Sequence, residues 1–160
     1  MRPDQAKIHP RERYFEDYLV GEVFEFGDKL ITAEEIVTFA QEYDPQPFHL
    51  DAQAAKKTHF GGLAASGWMT GSVIMRLVVD NFISRVASEG SPGIDEVRWL
   101  KPVLVDDRLS VRLTVLATRR SASKPTRGLI QTKTEGLNQR GEVVMSYLGW
   151  GMYTARSTRD

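Results

Sequence analysis

The strongest constraint on the fold is an apolar segment at residues 64–86, in which apolar side chains recur at the spacing of an α-helix. Drawn as a helix, this segment is apolar around much of its circumference, and such a helix should be buried inside something else. Its most apolar part, Val73 to Val79, is interrupted by Arg76 and is far too short to cross a bilayer. The segment therefore predicts one long internal helix.

The residues after this helix have the pattern of β-strands. Over residues 109–115 apolar and polar side chains alternate, which is the period of a half-buried strand. Strands are predicted at residues 23–26, 97–103, 109–115, 127–136 and 143–153. The first is expected to turn at Gly27-Asp28, after which Leu30-Ile31 could extend it, and the last, being mostly apolar, is expected to be central. Because consecutive strands joined by short loops pair antiparallel, the chain predicts an α+β domain with an antiparallel sheet curled around the long helix.

The interval before the long helix carries signals for shorter helices. Thr32 is followed three residues later by Glu35, the capping-box pattern of a helix start. Pro45 and Pro47 should stop that helix, since the residue before a proline is driven out of the helical conformation. Asp51 is expected to cap a further short helix, which we predict to end at Lys57.

Composition limits the classes of function. A chain of 160 residues fits one domain, which we place at residues 14–154, between an N-terminal arm (1–13) and a C-terminal tail (155–160). The 21 basic and 21 acidic residues give no net charge, so the broad basic surface of a nucleic-acid-binding protein is not expected. Without cysteine there is no disulfide and no thiolate nucleophile. The polar start lacks the apolar stretch of a signal peptide, and we expect a cytoplasmic protein that does not bind membranes.

The segment from Tyr43 to Asp51, Y-D-P-Q-P-F-H-L-D, is the stretch most indicative of chemistry. Asp44 and His49 lie five residues apart on a loop that two prolines make rigid. A carboxylate and an imidazole held in this way could share a water molecule, as general acid–base catalysis requires. Spacing alone leaves another interpretation open, in which Asp44 bonds the local backbone and His49 is a packed core residue.

Longer motifs favour the catalytic interpretation. The run D-P-Q-P-F-H-L-D, the later A-A-K-K-T and F-G-G, and the dipeptide Ser66-Gly67 resemble the MaoC-like dehydratases, the (R)-specific enoyl-CoA hydratases and their relatives. The stretches V-R-W-L-K-P-V and N-Q-R-G-E-V-V support the resemblance, which covers about residues 15–153. It implies a single hot-dog fold, an antiparallel sheet wrapped around one central helix, and assembly into at least a homodimer.

The resemblance also implies roles for individual residues. Asp44 and His49 would be the catalytic pair, and the backbone N–H of Gly67 would stabilise negative charge on the thioester oxygen. Further substrate-binding positions would be Gln46, Phe48, Ser66 and Trp68. No metal is implied, and coenzyme A enters as part of the acyl-CoA substrate rather than as a separate cofactor.

Two of these positions depart from the family pattern. Gln46 stands where asparagine is usual, and Ser66 stands where histidine commonly precedes the glycine. Gln46 keeps the same donors and acceptors, whereas the hydroxyl of Ser66 cannot carry a proton as histidine does. We therefore expect a different acyl group rather than a different reaction.

The resulting hypothesis is a hydro-lyase that adds water to a 2-enoyl-CoA or removes it from a 3-hydroxyacyl-CoA. The alternatives are an acyl-CoA thioesterase and a hot-dog protein that binds acyl-CoA without catalysis. The sequence leaves open the acyl group, the choice between coenzyme A and acyl carrier protein, the direction of reaction and the oligomer beyond a dimer.

Overall fold

The sheet and the long helix are both present in the structure, a computed structural model that describes residues 8–156. Two short 3-10 turns at Pro10–Glu12 and Phe15–Asp17 precede them. The helices are α1 (Ala33–Tyr43), α2 (Pro47–Leu50), α3 (Ala52–Lys56) and α4 (Gly67–Asn81). The strands are β1 (Val23–Leu30), β2 (Gly93–Trp99), β3 (Arg108–Arg120), β4 (Arg127–Leu137) and β5 (Val143–Thr154).

All strand pairs are antiparallel, in the order β1-β3-β4-β5-β2. The core lies between one face of this sheet and helix α4, which buries Met69, Ile74 and Val78. At Gly136 in β4 the helix comes so close that an added Cβ would lie 2.3 Å from the Ile74 side chain. The predicted α+β class and the antiparallel sheet packed on one long helix are confirmed.

The predicted starts of α1 and α3 are confirmed, because local side chains determine them. The Thr32 hydroxyl accepts a hydrogen bond from the Glu35 amide at 3.2 Å, and the Glu35 carboxylate accepts one from the Thr32 amide at 3.1 Å. Asp51 caps α3 by accepting from the amides of Gln53 and Ala54. One short helix was not predicted: Pro47 occupies the first position of α2, where its missing N–H costs nothing.

Helix α4 is shorter than predicted. Before Gly67 the chain is extended, with Ala64 in an isolated bridge to Leu104 and Ser66 as the N-cap. After Asn81 the Ser84 hydroxyl accepts from the Ala87 amide at 3.0 Å, so the chain turns while its apolar side chains still reach the core. Apolar periodicity therefore marks which residues are buried, and it does not mark where helical hydrogen bonding stops.

Three strand predictions need correction. Gly27-Asp28 is a bulge inside β1 rather than a turn after it, and Gly27 has φ +90°. The strand predicted at 97–103 is β2, which leaves the sheet after Trp99 as the chain approaches Pro102, a residue without an amide donor. Strand β5 is interior, but β4 occupies the centre of the sheet.

The burial predicted for the long helix holds on one side. The opposite side leaves Trp68, Met75 and Val79 exposed by 63%, 45% and 40%. Strand β2 is an exposed edge strand with Ile94 47% accessible. The single chain thus presents an apolar helix face and a strand edge whose hydrogen-bonding groups are free on one side.

The chain ends are tied to the domain where the structure describes them. The buried Arg13 pairs with Glu22 at 2.9 Å, and Arg156 pairs with the buried Asp17 at 2.6 Å. Residues 1–7 of the predicted arm and 157–160 of the predicted tail lie outside the described residues. Within residues 8–156 no helix is long and apolar enough to cross a membrane.

Candidate active site

Asp44 is placed by the end of helix α1. Its backbone N–H donates to the Ala40 carbonyl at 2.9 Å, which closes the last helical turn. Its own φ of −152° and ψ of 66° then take the chain out of the helix, as the following Pro45 requires. The carboxylate is thereby fixed at the point where α1 gives way to α2, with its side chain 20% exposed.

His49 is buried on helix α2, and its imidazole is held at both nitrogens. Nδ1 lies 2.6 Å from the Ala64 carbonyl oxygen, which can only accept, so Nδ1 carries a proton. Nε2 is directed at Asp44 Oδ2, 3.3 Å away. The ring of Phe48 stands edge-on to the imidazole with centroids 4.6 Å apart, and that of Phe60 packs beyond it. These contacts leave Nε2 as the nitrogen that can exchange a proton in the site.

The Asp44 carboxylate accepts one hydrogen bond on each oxygen. Gln46 Nε2 donates to Oδ1 and Ser66 Oγ donates to Oδ2, both at 2.7 Å. Burial raises the pKa of Asp44, but the bonds from Gln46 and Ser66 and the nearby His49 charge outweigh it, so the pKa lies below its usual value. The group is a carboxylate at neutral pH.

Helix α4 begins beside this carboxylate. Ser66, its N-cap, is fully buried and accepts from the Trp68 amide at 3.3 Å while donating to Asp44. Gly67 follows as the first helical residue, where amides have no partner inside the helix and the dipole favours negative charge. Its carbonyl accepts a hydrogen bond from Trp99 Nε1 at 2.8 Å.

These groups meet at one cavity of about 530 Å³, within the range of small-molecule sites. Its lining includes Asp44, Gln46 and His49, and is more apolar than polar overall. The other lining residues are His59, Phe60, Ala65, Gly67, Trp68, Thr70, Trp99, Leu100, Lys101, Pro102 and Val103. Asp44, His49 and the first residue of helix α4 therefore line the same cavity.

Most of the residues predicted for the site lie on this cavity: Asp44, Gln46, His49, Gly67 and Trp68. The other two lie behind its wall. Phe48 packs against His49 and Phe60. The fully buried Ser66 reaches the site through its bond to Asp44. Any effect of these two side chains on a ligand would thus run through Asp44 and His49 rather than through direct contact.

Sequence reasoning missed the far wall of the cavity. Trp99, Leu100 and Lys101 belong to the V-R-W-L-K-P-V stretch; the sequence gives no site role to the first two, and a surface position on a strand explains Lys101 as well as a contact with coenzyme A does. Lys101 lines the cavity while paired with Glu142 at 2.6 Å. The stretch itself was the available signal for these residues, because it places a tryptophan at the end of a strand and a lysine directly before a proline.

An antiparallel sheet packed against one long helix defines the hot-dog class of proteins, and here an aspartate and a histidine lie beside the start of that helix. The family model described as "MaoC like domain" matches residues 17–135. The chain therefore belongs to the MaoC-like family, and the resemblance drawn from the sequence motifs is confirmed.

Known relatives agree with this assignment. A MaoC-like dehydratase from Rhodospirillum rubrum superposes with a TM-score of 0.84 at 40% identity, covering 91% of this chain and 99% of that one. The R-hydratase PhaJ1 from Pseudomonas aeruginosa gives 0.72 at 25% identity, covering 89% of this chain and 86% of that one.

A mesaconyl-CoA hydratase from Cereibacter sphaeroides is 30% identical over 151 residues, 91% of this chain. The chain spans 42% of that relative, and 33% of Protein MaoC from Klebsiella aerogenes, to which it is 30% identical over 112 residues. A double hot-dog protein from Mycobacterium tuberculosis, at 17% identity and a TM-score of 0.82, shares the fold.

Proposed function

We propose that this protein is a hydro-lyase that adds water to a 2-enoyl-CoA thioester, or removes water from a 3-hydroxyacyl-CoA. The observation that carries the proposal is the 3.3 Å approach of Asp44 Oδ2 and His49 Nε2 at the head of the cavity that Gly67 also lines. Relatives named as hydratases and dehydratases support the same reaction class.

The two catalytic groups suit the binding of a water nucleophile. Whenever the His49 imidazole is neutral, its one proton lies on Nδ1 toward Ala64, so Nε2 is an acceptor, and so is Asp44 Oδ2. Two acceptors cannot form a hydrogen bond with each other, but one water molecule can bridge them by donating one hydrogen to each. Such a water has its lone pairs directed away from both groups, toward the cavity.

In hydration, the water oxygen forms a bond to the β-carbon of the enoyl thioester while one of its protons passes to Asp44. The electron pair of the double bond moves toward the thioester oxygen, and the α-carbon then takes a proton from the same site. The Gly67 amide would donate to the oxygen as negative charge grows there. Dehydration is the same sequence in reverse, with Asp44 returning the proton to the departing hydroxyl.

We further propose that the working form is a homodimer or a larger homo-oligomer, with the thioester bound near the subunit interface. The exposed apolar side of α4 and the free edge of β2 support this. Pairing at β2 would supply main-chain partners, and burying Trp68, Met75 and Val79 would remove apolar surface from water. Coenzyme A enters as part of the substrate, and the proposal includes no separate cofactor.

The test is an assay of purified protein with a panel of short, long, branched and dicarboxylic 2-enoyl-CoA thioesters, crotonyl-CoA among them. Hydration removes the absorbance of the conjugated thioester without release of thiol. The expected result is a loss of absorbance with at least one substrate. In Asp44→Asn the rate of that loss should be lower by at least about 1000-fold, since the base is then absent. Asp28→Asn, an exposed aspartate remote from the cavity, is the matched control.

The same assay separates the alternatives. Release of free thiol from acyl-CoA would identify a thioesterase. Tight binding of acyl-CoA by both wild type and Asp44→Asn, with no turnover anywhere on the panel, would identify a binding protein and overturn the proposal.

A further inference from the structure

We propose that Trp99 is a positioning residue: by holding the Gly67 carbonyl and packing against its Cα, it restricts the backbone rotation of Gly67 and so sets the orientation of the amide proposed to face the thioester oxygen. The inference rests on the proposed function, because it assigns Trp99 a part in the stabilisation of that oxygen. It concerns a residue 32 positions further along the chain, on the edge strand β2.

The contact between Trp99 and Gly67 has two parts. The indole Nε1–H donates to the Gly67 carbonyl at 2.8 Å. The ring also lies against the glycine, so that a Cβ added to Gly67 would be 2.7 Å from Nε1 and Cε2. The space that the missing side chain leaves is thus filled by the indole, and the glycine is required there for this close approach.

The backbone of Gly67 is consequently held on both sides of its Cα. On the chain side, the buried Ser66 fixes the helix start through its bonds to Asp44 and to the Trp68 amide. On the sheet side, Trp99 holds the Gly67 carbonyl and covers its Cα. Because glycine has the freest backbone of any residue, a peptide at this position needs such external restraint to hold one orientation.

A bulge in β2 is what turns Trp99 toward the helix. The pairing with β5 advances three residues from Asp95 to Arg98 while the partner strand advances two, and Glu96 at the bulge has φ 51°. One extra residue reverses which face the later side chains occupy. Trp99 therefore lies opposite Met145, on the same face as Ile94, instead of on the outer face.

Trp99 is also a wall of the cavity, with its ring 5.2 Å from that of Trp68 and edge-on to it. It contacts no group that would exchange a proton with substrate, since its N–H is directed at Gly67. Its effect on the reaction should therefore appear as weaker stabilisation of the transition state, and not as loss of the acid–base pair.

The experiment compares Trp99→Phe with Trp150→Phe. Phenylalanine keeps an aromatic ring on Gly67 but has no donor for its carbonyl, and Trp150 packs under Arg119 away from the cavity. For Trp99→Phe we expect kcat to fall about 3- to 10-fold with KM changed less than about twofold, the size of one lost hydrogen bond. Trp150→Phe should match the wild type.

A spectroscopic measurement on the same proteins reports the carbonyl directly. A chromophoric 2,4-dienoyl-CoA bound to Asp44→Asn, which cannot turn it over, should absorb at longer wavelength than in water, because donors at the oxygen polarise the conjugated system. Adding Trp99→Phe should decrease that shift. A Trp99→Leu variant, which removes ring and donor together, should decrease it further and provides the same test if the phenylalanine variant does not fold.

The outcomes separate this inference from the proposed function. If the wild type neither hydrates nor binds any enoyl thioester, the proposed function fails. If the wild type is active, and if Trp99→Phe and Trp99→Leu change neither kcat nor the spectral shift, the positioning role of Trp99 is overturned while the proposed function stands. A fall that is confined to KM would likewise overturn it, leaving Trp99 as part of the cavity wall.

Discussion

The hydroxyl of Ser66 donates to Oδ2 of Asp44 at 2.7 Å, and this bond joins the start of helix α4 to the end of helix α1. The same oxygen lies 3.3 Å from His49 Nε2. One serine thus caps the long helix and takes part in setting the charge of the proposed base. The stability of the helix and the pH dependence of the reaction are therefore coupled at one side chain.

Replacing Ser66 by alanine should raise the pH at which activity is lost on the acid side. The pKa of Asp44 is below its usual value because hydrogen bonds to its charged form, including that of Ser66, outweigh burial. Activity that needs the carboxylate is present above that pKa and is lost as the pH falls through it. Without the Ser66 donor the pKa rises, so the acid limb of kcat/KM should move up by about one pH unit.

Thr32→Ala is the control for this substitution. Thr32 caps α1 as Ser66 caps α4, and the loss of either cap should destabilise the protein by about 1 kcal/mol. Thr32 is bonded to Glu35 rather than to Asp44. A decreased melting temperature in both variants with a moved acid limb in Ser66→Ala alone is the expected result. An identical pH profile in the two would contradict the assigned coupling.

The local part of this architecture could be predicted from the sequence. Thr32 and Asp51 cap their helices because their bonding partners lie two or three residues away. Asp44 and His49 come together because one short loop and one short helix carry both. Motifs of this length contain nearly all the information that their geometry requires.

The far wall of the site could not be predicted in the same way. Trp99 reaches Gly67 only because an extra residue in β2 changes the face on which later side chains lie. Nothing in the alternation of residues 93–99 marks Glu96 as the bulged position, since a non-glycine residue with φ 51° leaves no sequence signal. The end of α4 could not be predicted either, because apolar residues continue at helical spacing after its last helical hydrogen bond.

The ion pair between the buried Asp17 and the half-exposed Arg156 should contribute more to stability than an ion pair in which both side chains are exposed. Asp17 is 1% exposed, accepts two bonds from Arg156 at 2.6 Å and also accepts from the Tyr14 amide. Burial raises its pKa, but the Arg156 and Tyr14 bonds outweigh burial and lower it. The stabilisation is therefore present above the unfolded-state pKa, about 3.9, and is lost as the pH falls through the folded-state value.

We expect Asp17→Asn to decrease the free energy of unfolding at pH 7 by about 1.5–3 kcal/mol, the range for bonds to charged groups. Asp28→Asn removes a two-bond pair with Arg108 in which the carboxylate side chain is 68% exposed, and the loss of stability should be clearly smaller because solvent screens the exposed pair. Urea unfolding measures both. Equal losses in the two variants, or a loss from Asp17→Asn that persists at pH 2, would count against the assignment.

The apolar side of α4 should be an interface between two copies of the chain. Met75 is 45% and Val79 40% exposed, and a charge there would face a desolvated partner. Met75→Glu should shift the sedimentation coefficient from that of an oligomer to that of a monomer. Val20→Glu, at a position 63% exposed before β1, is the control and should leave the assembly intact. A monomeric wild type at micromolar concentration would refute the proposed assembly.

The contact between Gly67 and Trp99 should appear as a coupling energy in a double-mutant cycle. Gly67 has an ordinary negative φ, so alanine meets no backbone strain there and its cost comes from the indole, 2.7 Å from the new Cβ. Gly67→Ala alone should destabilise the protein by about 1–3 kcal/mol, as overpacking does. In a Trp99→Ala background the clash is gone, and the same substitution should be neutral or slightly stabilising, because alanine favours the helix more than glycine does. Urea unfolding of the four proteins gives the coupling, and additive losses would mean that the indole does not occupy the glycine's open side.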